Sequence, residues 1–500
     1  MIISASLSPL SRSVVLASLQ TAHRRHTQSL GLTLPSPTYK SDGALLWDNQ
    51  PLAALVCAGW DQSPAQVAHL LGLPTEYASH LTGGGKAVRA AKSAVSLLGD
   101  LPVRSERVRT WMLRVFSMNW TQAQLLQVME EVEPYVTEAW YDEQRLAAAA
   151  VASYAALLEL LTAKRGDQAT ALMLDAVAGL ETPEAALVAD LAAGIDPAQL
   201  RERYGHCGDD ELELASPRLG ELETMGGLLA PQTTAVGAPR PSQGLQQRRQ
   251  QAGETIAGLA GLLQRGTVRS TLSLAQEALS AHATARDNLA RVLAAVRRWS
   301  VAAAGEGIKD GRLNEPEEIF WLELEEIKQM LTGEWHSRDH VQPLILERRQ
   351  TGEGDAIAKA PLFQRVQPLG VAGGEVRGPG VVIDGPAGSA SNGPAAITDF
   401  PSGAIALAPS TGPGWSWLFL KAGGVVAADG DLLCHAAAVG RSWALPPSWR
   451  PTALTPMRRA LSCLIRQETA SGLPDNGTPA GDNPNVLVGE SPIAPSCRRK

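Results

Sequence analysis

The strongest constraint on how this chain folds is a change of character near Pro361. From about Thr75 to Glu334 the residues are mostly strong helix formers, whereas Leu369 to Ile397 is rich in Gly and Val, with short runs such as "GVVI" and "GEV" between turns. Helices followed by strands, rather than the two in alternation, predict an α+β chain of more than one domain. "EQRLAAAAVASYAALLELLTAKRG" (Glu143 to Gly166) ends on a Gly, as a helix C-terminus favours. "TPEAALVADLAAG" (Thr182 to Gly194) opens with Thr as N-cap and Pro at the first helical position. Thr267 to Glu306 reads as one long helix. "DGALLWDN" (Asp42 to Asn49) reads as a turn and a short strand, and Ala230 to Gly244 as a surface loop.

Beyond the change, "AIALAPS" and "GGVVAAD" read as short buried strands separated by the helical "WLFLKA". The expected organisation is a mainly helical domain over 1–360 and a small α/β domain over 366–450. A Pro-, Gly-, Asn- and Ser-rich tail over 451–500 is expected to be poorly ordered.

Charge and cysteine usage exclude several partners. Lys and Arg number 44 against 51 Asp and Glu, a net charge of −7, whereas a nucleic-acid partner wants a basic face. No apolar run reads as the roughly 18–20 residues of a membrane span, and the first residues lack a basic signal-peptide start, so a cytoplasmic protein is expected. The five cysteines form no CxxC pair, which suits reduced thiols. His336 and His340 stand four apart without an evident third ligand, so no metal site is expected.

The candidate for chemistry is His435, in "DGDLLCHAAAVGRSW". It stands where a glycine-containing turn becomes an Ala-rich helix. Free backbone N–H groups and the helix dipole favour an anion there. Ala436, Ala437 and Ala438 leave room for a bulky group, and Gly430 permits a close turn. A neutral imidazole is a competent nucleophile near pH 7, so the arrangement suits a histidine that carries a phosphoryl group.

"APSTGPGWSWLFLKAGGVVAADGDLLCHAAAVGR" resembles the mobile phosphohistidine domain of phosphoenolpyruvate-utilising enzymes. Thr411, Pro413, Trp415, Gly430, Cys434, His435 and Arg441 all fall on its pattern. "ERYGHCGDDELELASPRLGE" (Glu202 to Glu221), "DGRLNEPEEIFWLELEEI" (Asp310 to Ile327) and "SLSPLSRSV" (Ser6 to Val14) are similar to segments of the rifampicin phosphotransferase-like branch. The resemblance implies a swivelling domain whose histidine is charged by an ATP-grasp domain and then swings to an acceptor among the helices of residues 1–360. "ARDNLARV" partly matches the charged element that faces the phosphohistidine there, with Arg286, Asp287 and Arg291 as phosphoryl contacts alongside Arg441. His206 and Tyr204 would belong to the acceptor site, His206 as a base for a substrate hydroxyl. Most carboxylates of the 310–327 segment are expected on a solvated helix face, with Ile319, Phe320, Leu322 and Leu324 partly packed.

The chain also departs from that pattern. No ATP-grasp region is legible, so no cofactor is expected on this chain itself, and ATP with Mg2+ would come through a separate ATP-grasp protein. Asp431, Gly440 and Gly412 stand where the pattern has Gly, Ala and commonly Asp, and Cys207 stands where it has Arg. After Arg441 the pattern's closing strand is replaced by "ALPPSWRPTALTP". Codons for Leu-Pro-Pro-Ser-Trp, read two bases out of phase, can spell Pro-Ala-Val-Val, so a frameshift near Trp443 and an out-of-frame tail are expected. A nucleotide sequence without such a frame refutes this. The expected function is a phosphotransferase component that passes a phosphoryl group from His435 to a small-molecule hydroxyl. The alternative is a non-catalytic, ligand- or partner-binding remnant of a truncated phosphotransferase. The first reading requires a His435 ring that solvent can reach.

Overall fold

The computed structural model describes residues 7–29, 38–39, 45–46, 84–166, 168–222, 243–261, 265–334, 338–351, 376–382, 400–408, 411–427, 432–442 and 485–488. The helical part runs α1 (Pro9–Ser29), α2 (Gly84–Phe116), α3 (Gln122–Arg165), α4 (Gln168–Ala176), α5 (Pro183–Ala192), α6 (Pro197–Tyr204), α7 (Gln243–Leu259), α8 (Arg265–Lys309), α9 (Leu324–Thr332) and α10 (Arg338–Gln350). Two short strands, β1 (Thr38–Tyr39) and β2 (Leu45–Leu46), pair antiparallel between α1 and α2.

The long helices α3 and α8 form the spine. α3 starts on a capping box in which the Gln124 N–H donates to Thr121 Oγ1 and the Thr121 N–H to Gln124 Oε1. It stops at Gly166, whose φ of 54° is left-handed. α1 and α8 pack along α3, and α2 lies against α8. Trp140, Trp299, Leu10, Leu19, Leu125 and Val296 meet in the core, where the Trp299 indole N–H donates to Leu125 O at 3.0 Å. The apolar stretch of α3 has a mean hydropathy of 1.7, enough by length and composition to cross a bilayer, contrary to the reading from sequence. Yet 62% of it is buried inside the fold, as in the spine of a helical core. The acidic 310–327 segment is mostly solvated as expected, with one exception. Glu318 is buried and accepts from the Asn314 N–H at 2.8 Å.

The C-terminal module holds β3 (Val376–Val382), β4 (Ile405–Ala408), β5 (Gly424–Ala427), the one-turn helix α11 (Leu418–Lys421) and α12 (His435–Ser442). Strand order is β5-β4-β3-β6, where β6 is Asn485–Val488. β3, β4 and β5 run parallel and β6 runs antiparallel to β3. All four residues of β4 are buried, the continuous apolar run of a central parallel strand. Phe400, Trp415, Leu418 and Ala422 pack beside it.

α5, α8, β4, β5 and the β2 strand fall where the sequence puts them, and α3 ends where expected but starts at Gln122, well before Glu143. The domain limits near 360, most of the 230–244 loop, Gly430 and all but Asn485–Val488 of the tail lie outside the described residues. β6 pairs the outer side of β3, the side away from β4. The two parts are closely joined. Leu432 and Leu433 of the module sit in the same apolar cluster as Tyr154, Leu157, Ile256 and Leu272 of the helical part.

Candidate phosphotransfer site

His435 is the first residue of α12, as the sequence predicts. The turn before it is anchored by Leu432 and Leu433 in the helical core. The small residues after it let α12 lie close on α5, where Val439 and Ala436 meet Val188, Ala189 and Ala192 with Phe419 alongside. Arg441 fixes this helix at its far end. Its guanidinium donates to Leu432 O, and its carbonyl accepts from the Gly179 N–H at 2.7 Å. Arg441 therefore braces the module and does not line the cavity at His435, unlike the phosphoryl contact expected from its motif position.

The imidazole is 1% exposed, which overturns the expectation of a ring open to solvent. The cover comes from both parts. From the module, Ser416 Oγ lies 3.2 Å from Nε2, and the Phe419 ring meets the imidazole edge-on at 5.5 Å. From the helical part, Pro183, Glu184 and Leu187 of α5, the Tyr204–Glu211 loop and Arg286 and Asp287 of α8 close a cavity of about 20 Å³ over it. That volume holds one water molecule. Burial, with the Arg286 charge next, lowers the His435 pKa to about 3, so the ring is neutral. Nδ1 has no hydrogen-bond partner among the described residues.

The 204–218 loop is built around the buried Arg218, whose guanidinium donates to Asp210 O and Glu211 O, both at 2.9 Å. The module's Gly412–Gly414 turn seats directly on this loop, and the Gly414 N–H donates to Gly208 O at 3.2 Å. A Cβ on Gly412 would come within 2.5 Å of Asp209 O. The glycine in place of a family Asp is what lets the two loops meet.

On α8, Arg286 makes one hydrogen bond among the described residues, a long one of 3.4 Å to Leu433 O. A guanidinium has five donors, so most of its capacity is left over. Asp287 is fully engaged: Oδ1 meets His206 Nε2 at 2.7 Å and Oδ2 accepts from Arg291 Nε at 2.8 Å. These two partners hold its carboxyl down at about 2 despite burial, which acts the other way. Arg291 and His206 thus stand behind Asp287 and do not line the cavity, so neither is placed as a direct phosphoryl contact or hydroxyl base.

Burial shifts the remaining carboxyls upward. Glu211 rises to about 8, Asp209 and Asp210 to about 6, and Glu184 rises too. Tyr204 lines the cavity and donates its hydroxyl to Asp190 Oδ2 at 2.6 Å. Cys207 also lines it, its thiol pushed well up by burial. The donor atoms of His206, Cys207 and Asp287 lie within 4.8 Å of one another. The 2.7 Å His206–Asp287 contact is a hydrogen bond, and a raised thiol pKa opposes the thiolate a metal needs.

Of the motif residues, Pro413 lines the cavity and Trp415 is module core. Thr411 Oγ1 is buried without a partner among the described residues, and Cys434 is half-buried just before α12. Sequence reading brought His435, Arg286, Asp287 and Tyr204 to one place. It missed Glu184, Glu211, Ser416 and Arg218, although Glu211 and Arg218 lie in the 202–221 segment it singled out. A wider groove of about 750 Å³ between α2 and α3, lined by Arg107, Trp111 and Tyr135 among others, shares no residue with the His435 cavity.

Residues 400–447 match the family model described as PEP-utilising enzyme, mobile domain. No curated protein matches the chain. The matched segment carries His435, and its role in general terms is that of a phosphohistidine carrier in phosphotransfer.

Proposed function

We propose that this chain is a phosphotransferase component of the rifampicin phosphotransferase-like kind. His435 takes a phosphoryl group from an ATP-grasp partner, which supplies ATP and Mg2+, and passes it to the hydroxyl of a small molecule. The cytoplasm, where ATP is abundant, is the setting this requires. The observation that carries the reading is the meeting of His435 and Arg286 in one cavity between the two parts of the chain.

The chemistry follows from that meeting. A neutral imidazole is the form that accepts a phosphoryl group. A buried guanidinium with spare donors is the form that clamps one during transfer. Asp287, its carboxyl held down at about 2, lines the same cavity, so a phosphoryl group entering it meets negative charge unless Arg286 offsets it. The closed cavity has room for one water and not for a phosphoryl group. The described form is therefore the discharged one. Charging His435 requires the module to lift off α5 and α8, which is the swing the family resemblance implies.

The same burial favours a second reading. If the module never lifts, His435 cannot be charged, and the chain is a non-catalytic, ligand- or partner-binding remnant. Incubation of the full chain with an ATP-grasp partner and labelled ATP separates the two. Acid-labile, base-stable label on His435, absent in His435→Ala, supports transfer. No label, or label that survives His435→Ala, supports the remnant.

A further inference from the structure

We infer that the outer face of α2 is a dimer interface, and that it packs against the same helix of a second copy of this chain, running antiparallel. This holds whether or not His435 carries a phosphoryl group.

Apolar surface is left uncovered mainly on this one helix. The exposed large apolar side chains among the described residues are Val95, Val103, Leu113, Phe116, Ile308 and Leu346, and the first four all lie on α2. Such clustering marks a contact surface, whereas scattered single residues do not. The exposure also has a period. Val95, Gly99, Pro102, Glu106, Arg109, Leu113 and Phe116 are all exposed, and they stand alternately four and three residues apart. That is the heptad spacing of a helix that packs along another helix. The inner side of α2 is already used within the fold, where Leu97, Leu101, Trp111, Met112 and Val115 are buried.

The exposed seam is its own complement. Let two copies of α2 pack antiparallel about a two-fold axis that passes between Glu106 and Arg109. Glu106 of each copy then faces Arg109 of the other. Further out, Leu113 faces Pro102 and Phe116 faces Gly99. The last pair matches in size, because a Cβ on Gly99 would meet nothing within 4 Å and the notch above it is open to a ring. Within one copy Arg109 Nη1 lies 3.5 Å from Glu106 Oε2, and both side chains are more than half exposed, so each is within reach of a second copy. A parallel pairing would instead set Glu106 against Glu106 and Arg109 against Arg109.

The charges on this face disfavour other occupants. A lipid surface or a nucleic acid wants a basic face. Here Glu106 sits at the centre of the seam, and Glu130 and Glu133 stand exposed on α3, which shares the adjoining 750 Å³ groove. The floor of that groove is occupied with its own contacts. Glu131 accepts from Trp111 Nε1 at 2.7 Å and from Arg114, and the Arg107 guanidinium lies over the Tyr135 ring at 5.2 Å. A face of mixed charge that carries both members of each pair suits a second copy of itself.

Sedimentation equilibrium of the full chain reads the dimer, and circular dichroism checks that each variant keeps its helix content. The wild type is expected to dimerise at micromolar concentration. Arg109→Glu and Glu106→Arg each set like charges across the axis twice, and each is expected to weaken dimerisation about a hundredfold. An equimolar mixture of these two variants restores both pairs, as does the double variant Glu106→Arg/Arg109→Glu. Both are expected to dimerise nearly as well as the wild type. Gly99→Trp fills the notch and is expected to abolish the dimer with the monomer still folded. A wild type that stays monomeric at high micromolar concentration overturns the inference. So does a dimer that both single variants leave intact, which would place the contact on another face. Single variants that fail to associate when mixed overturn it as well, because their charges then do not meet across an axis.

Discussion

Gly414 lies against Asp209 so closely that a Cβ on it would fall 1.8 Å from Asp209 Oδ1. The contact joins the module's turn to the loop that frames the His435 cavity, so closure depends on a missing side chain.

A methyl group there must push the Asp209 carboxylate aside and presses on the Asp209 backbone N at 3.1 Å, which strains the joint. Gly414→Ala is expected to favour the lifted state by about 1–3 kcal/mol, the usual cost of overpacking a tight contact. His435 in this variant should react with diethyl pyrocarbonate about 5- to 150-fold faster than in the wild type. Exchange of amide hydrogens in α5 should rise while the overall helix content by circular dichroism stays the same. Unchanged reactivity would show that the joint does not control access.

His435 adds an acid-side push toward opening. The His435 pKa is about 3 when covered, below its ordinary 6.5, so the lifted state binds more protons between those values. The His435 contribution to closure is fully present above pH 6.5 and is lost as pH falls toward 3. Glu211, raised from 4.5 to about 8, acts in the opposite sense and favours the covered form at lower pH across its own window. His435→Asn should remove the acid-side opening, as read by hydrogen exchange of α12 between pH 5 and 7. Identical pH dependence in wild type and variant would contradict this.

Arg286 should matter more for transfer than for folding. Arg286→Gln loses one long hydrogen bond and the charge facing Glu211, Glu184 and Glu143, which those buried carboxyls can answer by holding protons, so its cost in stability is expected to fall below that of Asp287→Ala. Phosphoryl transfer from His435 should slow by about 10²–10³, and Arg286→Lys should recover part of it, because a point charge replaces the planar fork. Asp287→Ala is the converse. It strands Arg291 and His206 and should cost about 3 kcal/mol by chemical denaturation. The Asp287 contribution is present above its unfolded pKa of 3.8 and lost as pH falls toward 2.

The α5 platform rests on its cap. Thr182 Oγ1 accepts from the Ala185 N–H at 3.2 Å, next to the Glu184 that lines the cavity. Thr182→Ala should cost about 1 kcal/mol of stability in urea unfolding, and hydrogen exchange should localise the loosening to residues 183–192. A loss spread evenly over the helical core would contradict that placement.

What the sequence showed and what it hid follow from the range of the interactions. Thr182, Pro183 and Gly194 mark both ends of α5 because capping and left-handed turns are local, and His435 at the start of α12 is legible for the same reason. Arg286 and Asp287 were reachable through a resemblance. Glu211 and Glu184 sit together only after two distant segments pack against α8, and no local pattern records that. Two substitutions that look like losses in the motif make sense only in three dimensions. Gly412 fits against Asp209, and Cys207 sits where a cation would add to Arg286 and Arg291. Arg441 keeps its motif position but works as a brace, a role its spacing from His435 does not reveal.

The most direct measurement is chemical phosphorylation of the full chain with phosphoramidate, alone and as Gly414→Ala, followed by peptide mapping at neutral pH. The account predicts one acid-labile phosphoryl group on His435, formed faster in Gly414→Ala and absent in His435→Ala. No label on His435 in either form, even with the joint opened, would contradict it.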